Sequence, residues 1–147
     1  MLLVFALAQA TLPPANPLPP PGTVEAAVMA PVNALLAAVS AKDGAAILAQ
    51  AHPGGSATSV ADGKVNRMSW PEMAEHFKPG GPRFEETISD PAIDVDGDIA
   101  MVWAPYLFRL HGKVHHCGID HFDLVRSEGR WRVLNITWSS RTTGCGQ

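Results

Sequence analysis

Three glycine-containing turns in the second half of the chain constrain its fold more than any other feature. They lie at Asp96-Gly97, His111-Gly112 and Glu128-Gly129. Such pairs are typical of tight β-hairpin turns, and connections this short force neighbouring strands to be antiparallel. The turns separate four segments of strand-like composition, at residues 84–95, 98–110, 113–126 and 130–142. The second half therefore predicts a four-stranded antiparallel meander.

The first half has the patterns of three helices and a hairpin. Apolar residues at helical spacing predict the first helix: Val28, Val32, Leu35, Leu36 and Val39. Pro31 is expected in its first turn or at a kink. Beyond it the sequence predicts a break at residues 42–44, a short helix at 45–51, a hairpin of strands 56–60 and 64–68, and a third helix at 70–77. Ser69 is the candidate N-cap of the third helix, and the order of elements indicates an α+β fold.

Length, charge and the N-terminal residues set further limits. A chain of 147 residues with a formal net charge of −3 and no run of like charge fits one domain and does not predict nucleic-acid binding. Residues 1–10 are apolar and end in the small-residue pattern Ala8-Gln9-Ala10, which predicts a secretory signal. The alternative is an N-terminal helix packed on the domain. Residues 11–22 are rich in proline and predict a solvated linker before a domain at residues 23–145.

The first ten residues predict export but no membrane span. A bilayer-spanning helix needs about twenty apolar residues, and this stretch is much shorter. The predicted location is therefore the periplasm or the medium outside the cell. An exported protein normally oxidises its cysteines, so we predict a disulfide between Cys117 and Cys145, the two cysteines of the chain. Two free thiols are the alternative.

A carboxylate in the third segment of the meander is the strongest candidate for a site. Asp120 lies in the run His-Cys-Gly-Ile-Asp-His-Phe at residues 116–122. If the turn at His111-Gly112 pairs Leu110 with Lys113, Trp103 lies opposite Asp120. The face around Asp120 then carries Ile99, Met101, Trp103, Leu107, Phe122 and Leu124.

The other face of the same two strands is also apolar. It carries Ala100, Val102, Ala104, Tyr106, Phe108, Ile119 and Val125. Both faces of such a sheet must be covered, and the single helical layer covers one of them. We therefore expect a homodimer that packs through the outer sheet face.

Asp120 and its neighbours allow a ligand-binding and a structural interpretation. In the first, Asp120 is a pocket acid with a raised pKa that hydrogen-bonds a ligand. In the second, neighbouring side chains, backbone groups or water satisfy it without any ligand. Trp103 and Trp70 are candidates either to stack on a flat ligand or to pack in the core.

The face of the last strand is ambiguous in the sequence. If the preceding turn is Glu128-Gly129, Asn135 shares the Asp120 face and is a candidate pocket residue. If Ser127 joins the turn with a bulge, the strand presents its other residues to that face, namely Leu134, Ile136 and Trp138.

The remaining reactive side chains predict neither a metal site nor a cofactor. Strand alternation places His116 on the opposite face from His115 and His121, so the clustered histidines do not share one face. Metal sites need several ligands that converge. Cys117 is predicted to be oxidised, and no serine lies in a nucleophile-elbow pattern, which disfavours nucleophilic catalysis.

Several motifs in a fixed order resemble one known superfamily. They are Ala-Ala-Val-Ser-Ala-Lys-Asp at residues 37–43, Val-Asp-Gly-Asp-Ile-Ala-Met-Val-Trp at 95–103 and Gly-Arg-Trp-Arg-Val at 129–133. The chain resembles the nuclear-transport-factor-2-like (NTF2-like) superfamily, which includes ketosteroid isomerases and SnoaL-like cyclases. The run at 116–122 and the tail at 140–145 are similar to an exported, lumazine-binding-like subset.

The resemblance implies a cone-shaped α+β fold, with three N-terminal helices packed on a curved, mainly antiparallel sheet. It also implies that Asp120 faces the interior of the cone, like the protonated oxyanion-hole aspartate of ketosteroid isomerases. This chain has about Leu35 where those enzymes carry a tyrosine, and Ser59-Val60 near the position of their catalytic base. Steroid-type isomerisation is therefore not supported.

The leading hypothesis is an exported domain that binds a small apolar or aromatic molecule in a mostly apolar pocket anchored by Asp120. The predicted ligand-pocket residues are Asp120, Trp103, His116, Met101, Phe122, Trp70 and Asn135. One alternative is a cyclase- or isomerase-type enzyme that uses Asp120 as acid or base, together with His116 or His52. The other is a structural dimerisation module whose cavity is filled by its own side chains.

Overall fold

The computed structural model describes residues 19–146. The predicted signal and most of the predicted linker lie outside the described residues and remain predictions.

Three helices form one layer of the molecule. Their bounds are Val24–Ala41 for α1, Gly44–Gln50 for α2 and Trp70–Glu75 for α3. Helix α1 begins earlier than the position of Pro31 suggested, because the Thr23 side chain caps it by accepting from the Ala26 N–H at 3.1 Å. Pro31 lies buried inside the helix rather than in its first turn. Helix α3 begins with the predicted Ser69 cap, which forms a reciprocal capping box with Glu72.

The strands form one seven-stranded sheet in the spatial order β2-β1-β7-β6-β5-β3, with β4 also paired to β5. Their bounds are β1 Ala51–Ala61, β2 Lys64–Ser69, β3 Phe84–Ile88, β4 Ala92–Asp96, β5 Ile99–Leu110, β6 Lys113–Ser127 and β7 Arg130–Ser139. Strands β1 and β7 are parallel, and the other pairs are antiparallel. This confirms the predicted α+β plan. The predicted first strand of the meander is two strands, because Asp90 has a positive φ and Pro91 has no N–H to donate to the ladder.

The turns of the meander follow the sequence closely. His111 and Gly112 both have positive φ, as do Glu128 and Gly129, which is the geometry of type I′ hairpins. In the turn before β5, Asp96 pairs with Ile99, so the two turn residues are Gly97 and Asp98, one position later than predicted.

The predicted register between β5 and β6 is wrong by one residue. Leu110 pairs with Lys113 as expected, but a bulge at His115 shifts the ladder, so Trp103 lies opposite His121 and Ala104 lies opposite Asp120. An extra residue in one strand exchanges the faces of everything beyond it. The Asp120 face therefore carries the β5 residues assigned to the outer face, namely Ala100, Val102, Ala104, Tyr106 and Phe108. The outer face carries Ile99, Met101, Trp103 and Leu107, together with Ile119 and Val125.

A second bulge decides the face of the last strand. Leu124 pairs with Val133 and Asp123 pairs with Asn135, which leaves Leu134 as the extra residue. The turn is Glu128-Gly129, yet the bulge brings Ile136 and Trp138 to the Asp120 side. Asn135 lies on the other side.

The helices cover the Asp120 face of the sheet. Helix α1 contacts β3, β4 and β7, and α3 contacts β1 and β2. By length and composition α1 is apolar enough to cross a membrane, but Val28, Val32 and Leu35 are at most 1% exposed in the core between helix and sheet. These contacts are those of a core helix.

A disulfide holds the C-terminal tail against β6, as predicted. Cys117 and Cys145 are bonded, with their Cα atoms 5.4 Å apart. Cys117 and Arg141 also exchange two backbone hydrogen bonds of 3.0 and 2.9 Å. The tail therefore covers part of the outer side of β6.

Candidate functional site

A cavity of about 400 Å³ lies between the helical layer and the sheet. Helix α1 contributes Leu35, Leu36 and Val39 to its wall, and the strands contribute Phe84, Phe108, Ile136 and Trp138. Met73, His76 and Phe77 line it from α3 and the residues just after it. Its polar groups are Glu86, Asp120, His116 and His76. An open, mostly apolar space of this volume with a few converging polar groups has the character of a small-molecule site, and it disfavours a cavity filled by the protein's own side chains.

Asp120 lies in the wall of this cavity and is 1% exposed. It is held in the middle of the sheet, paired with Ala104 on β5 and with Trp138 on β7. Its Oδ2 atom is buried and has no hydrogen-bond partner among the described residues. Burial, and then the charge of Glu86, raise the pKa of Asp120 from 3.8 to about 9. At neutral pH the group is therefore a neutral acid that can donate a hydrogen bond.

Glu86 is the second acid of the cavity, and the sequence reasoning missed it. It lies on β3 opposite Phe108, and its backbone N–H donates to Ser40 Oγ on α1 at 3.4 Å. Burial raises the pKa of Glu86 from 4.5 to about 7. The sequence signal was the alternation of Phe84, Glu86 and Ile88, which places the glutamate on the apolar face of its strand.

His116 also lines the cavity. Its ring stacks on Phe108, with centroids 4.5 Å apart, and its Nδ1 lies 2.9 Å from Nδ1 of His115. Burial, and then the neighbouring His115, lower the pKa of His116. The ring is therefore neutral at neutral pH and does not compensate the acids with a charge.

Two predicted pocket residues lie on the outer face of the sheet instead. Trp103 is 48% exposed, and its ring centroid lies 5.7 Å from that of His121. Met101 pairs with Asp123 on the same outer face. The cause is the bulge at His115, which exchanges the faces of β5 relative to Asp120.

Three others are core or sheet residues. Trp70 is 1% exposed and donates its Nε1–H to the carbonyl of Leu134 at 2.9 Å. Phe122 shares the Asp120 face but is completely buried in the core. The side chain of Asn135 accepts a hydrogen bond from the Ser56 N–H at 3.1 Å, between strands on the outer side. Asp120 and His116 are thus the predicted residues that the fold brings into the cavity.

The arrangement is suited to hydrogen bonding and proton transfer. Among residues 19–146 no group of three His, Cys, Asp or Glu side chains is placed to hold a metal ion. His52, considered as a partner of Asp120, lies on β1 outside the cavity wall, where its Nδ1 accepts from the Gly54 N–H at 3.1 Å. The chemistry of the cavity rests on its two carboxyl groups and two imidazoles.

The family model described as putative lumazine-binding matches residues 23–139. No curated protein sequence matches the chain.

Many solved structures share this fold. A Xanthomonas campestris protein described as a putative calcium/calmodulin dependent protein kinase II association domain is 19% identical with a TM-score of 0.69, covering 88% of this chain and 95% of that chain. An NTF2-like protein of unknown function from Silicibacter pomeroyi is 23% identical with a TM-score of 0.60, covering 79% and 94%. An NTF2-like superfamily protein from Salmonella enterica is 17% identical with a TM-score of 0.61, covering 80% and 91%. At such low identities the similarity establishes the fold alone.

Proposed function

Because the chain belongs to the putative lumazine-binding family and has an NTF2-like fold, we propose that it binds a small, mostly apolar or aromatic molecule in the cavity, with Asp120 as the polar anchor. The observation that carries this proposal is the Oδ2 atom of Asp120, buried in the cavity wall without a hydrogen-bond partner. An unsatisfied buried polar atom costs about 1–3 kcal/mol, and a ligand that bonds to it recovers that free energy. His116 lies in the same wall and is proposed to contact the ligand through the edge of its ring.

The test is binding to the purified protein. Native mass spectrometry of protein purified from its host is expected to show a bound molecule that organic solvent removes. The family description makes 6,7-dimethyllumazine a first probe, since it is a flat ring system with carbonyl acceptors. Asp120→Ala is expected to weaken binding about tenfold, whereas Asp120→Asn retains a donor and binds more tightly than the alanine variant.

Asp123→Asn is the matched control because it lies three residues further along β6, on the outer face of the sheet. It is expected to leave binding unchanged. No bound molecule and no binding of any probe, or equal loss in Asp120→Ala and Asp123→Asn, would contradict the proposal.

Acid-base catalysis is the second candidate function. Two carboxyl groups whose pKa values are raised to about 7 and about 9 share one cavity, which suits one to accept a proton and the other to donate one. In such an enzyme Asp120→Asn would abolish turnover and retain binding. In a simple binding protein the same variant has no activity to lose.

We also propose that the chain forms a homodimer through the outer sheet face. This face exposes Ile99 and Trp103 by 60% and 48%, on the side of the sheet that the helices leave uncovered. The similarity to a protein described as an association domain supports this proposal.

Export is proposed on two grounds. Residues 1–10 have the pattern of a secretory signal, and Cys117 is bonded to Cys145. Disulfides persist in oxidising compartments such as the periplasm.

A further inference from the structure

Neither lysine nor arginine lines the cavity beside its two acids. Asp120 and Glu86 line the same space, and none of the thirteen lining residues, all in the described part of the chain, is Lys or Arg. Neither carboxyl group belongs to an ion pair formed by residues 19–146. Acidic side chains are rarely buried unless they are paired or bound to a cation. Two of them in one apolar cavity therefore keep protons when the cavity is empty, and a cationic ligand would let them ionise.

Lys42 lies close to one ring of the cavity but is not part of the cavity wall. The Lys42 Nζ atom sits 4.8 Å from the ring centroid of Phe84 and donates a hydrogen bond to the carbonyl of Gly80. Lys42 is thereby held against the ring of Phe84, which also contacts the rings of Phe77 and Phe108. It does not pair with Asp120 or Glu86.

The apolar wall is suited to a cation as well. Four aromatic rings line the cavity: Phe77, Phe84, Phe108 and Trp138. The faces of aromatic rings attract ammonium groups, and aromatic rings combined with carboxylates are a recurrent arrangement for binding organic cations. A neutral ligand would pack on the aromatic rings, but both acids would remain protonated. A cation uses both the rings and the acids.

We propose that the ligand of this cavity is a small organic cation, an amine or quaternary ammonium compound, whose charged group sits against Asp120 and Glu86 while its apolar part packs on the aromatic rings. This rests on the proposed binding function and specifies its ligand class. The cation takes the place of protons that the empty cavity holds on its acids, so binding releases protons to solvent. Affinity therefore rises with pH through the range in which the acids are protonated.

Other titratable groups of this region are His76 and His116 in the cavity wall and Tyr106 on the same face of β5 as Asp120. Burial raises the pKa of Tyr106 to about 12, and its hydroxyl donates to the carbonyl of Ser139 at 2.9 Å, so it keeps its proton near neutrality. Arg141, beyond β7, pairs with Cys117, and its charge acts against the rise in the pKa of Tyr106. Burial lowers the pKa of His116, so at pH 8 that ring is neutral and contributes no proton.

The experiment compares a cation with a neutral molecule of similar size. Benzyltrimethylammonium carries no exchangeable proton, and benzyl alcohol supplies the same ring without the charge. Isothermal titration calorimetry at pH 8, in phosphate and in borate, two buffers without an amine, gives the affinity and the number of protons released. The cation is expected to bind about tenfold or more tightly than the alcohol and to release up to one proton.

Three variants test the role of the negative charges without changing the shape of the cavity: Glu86→Gln, Asp120→Asn and the double variant. Each replacement keeps the size of the side chain and removes its charge. Each single variant is expected to weaken cation binding about tenfold and to leave alcohol binding within about twofold. The double variant is expected to release no proton. Asp123→Asn on the outer face is the matched control and keeps the wild-type values. Unchanged alcohol binding shows that each variant is folded.

Equal affinity for the two probes, no proton release, or failure of both probes to bind would overturn the cation proposal. Tight binding of neutral molecules with unchanged affinity in the Glu86 and Asp120 variants would overturn it and leave the proposed binding function standing. Absence of a bound molecule in native mass spectrometry, together with failure of every probe to bind, cationic or neutral, would instead overturn the binding function itself.

Discussion

At the scale of single residues, Asp120 is a destabilising group that the fold retains. It is almost completely buried, and its Oδ2 atom lacks a hydrogen-bond partner among the described residues. Ala104 opposite it and the open cavity in front of it give the carboxyl group room but no donor. A residue with this cost at the centre of a sheet is typical of a functional site rather than of packing.

Asp120 makes the stability of the fold depend on pH. Its pKa is 3.8 ordinarily and about 9 when folded, so between these values the folded protein binds a proton that the unfolded chain does not. The free energy of unfolding therefore falls as the pH rises. Glu86 adds to this fall up to about pH 7, and the lowered pKa of His116 opposes it only in acid.

Between pH 7 and pH 9 the fall consequently comes mainly from Asp120, because Glu86 has lost most of its protons by pH 8. Urea unfolding there is expected to show a slope approaching about −1.4 kcal/mol per pH unit in the wild type. Asp120→Asn is expected to flatten the slope and to be more stable than the wild type at pH 9. Asp123→Asn keeps the slope, because that carboxyl group is partly exposed and paired with His121 at 3.4 Å. A flat wild-type curve would show that Asp120 titrates normally.

At the scale of elements, the regular parts of the fold could be predicted and its irregularities could not. The turns at Gly112 and Gly129 and the Ser69 cap are local chemistry, so the sequence indicates them directly. The bulges at His115 and Leu134 are single extra residues with no local signature, and both faces of β5 are apolar, so the hydrophobic pattern did not reveal the shift.

The bulges also explain which of the site residues could be predicted from the sequence. Asp120 and His116 were found because they stand out on their own strand. Trp103 and Met101 were assigned from a register that the first bulge changes. The alternation of Phe84, Glu86 and Ile88 indicates the face of Glu86, but only the long-range pairing of β3 with β5 brings that face to the cavity, and no local pattern predicts this pairing.

The second bulge depends on one glycine. A Cβ at Gly55 would collide with the backbone carbonyl of Leu134 and come within 3.0 Å of Trp70 Nε1. The Leu134 carbonyl is the acceptor for Trp70 Nε1, so Gly55 permits the contact that fixes α3 against β7. Only a residue without a side chain fits at this position of β1, next to the bulge in β7.

Gly55→Ala is therefore expected to lower the free energy of unfolding by about 2 kcal/mol or more, in the range of overpacked interiors. Gly54→Ala is the matched control, since a Cβ there would meet only the ring of His52. Urea unfolding of both variants measures the difference, and near-ultraviolet circular dichroism follows the environment of Trp70. Equal stability of the two variants would contradict the close approach.

At the scale of the whole molecule, the two faces of the sheet are covered to different extents. The helices cover the inner face and enclose the cavity, and the disulfide-linked tail covers the outer side of β6 around Cys117. The rest of the outer face, with Ile99 and Trp103, is exposed in the isolated chain. The bulge at His115 thus places Ile99, Met101 and Trp103 of β5 on the outer face, where a second copy can bury them, and Phe108 in the cavity wall.

A dimer through this face is expected to depend on Trp103. Gel filtration with light scattering at micromolar concentration should give twice the chain mass for the wild type, and Trp103→Glu should give the monomer, because a charge buried in the interface without a partner costs several kcal/mol. Val65→Glu is the control: Val65 is apolar and 67% exposed, but it lies on β2 at the far edge of the sheet. A monomeric wild type, or dimers lost equally in both variants, would contradict this interface. Because Trp103 lies on the opposite face from Asp120, ligand affinity in the Trp103→Glu monomer is expected to match that of the dimer.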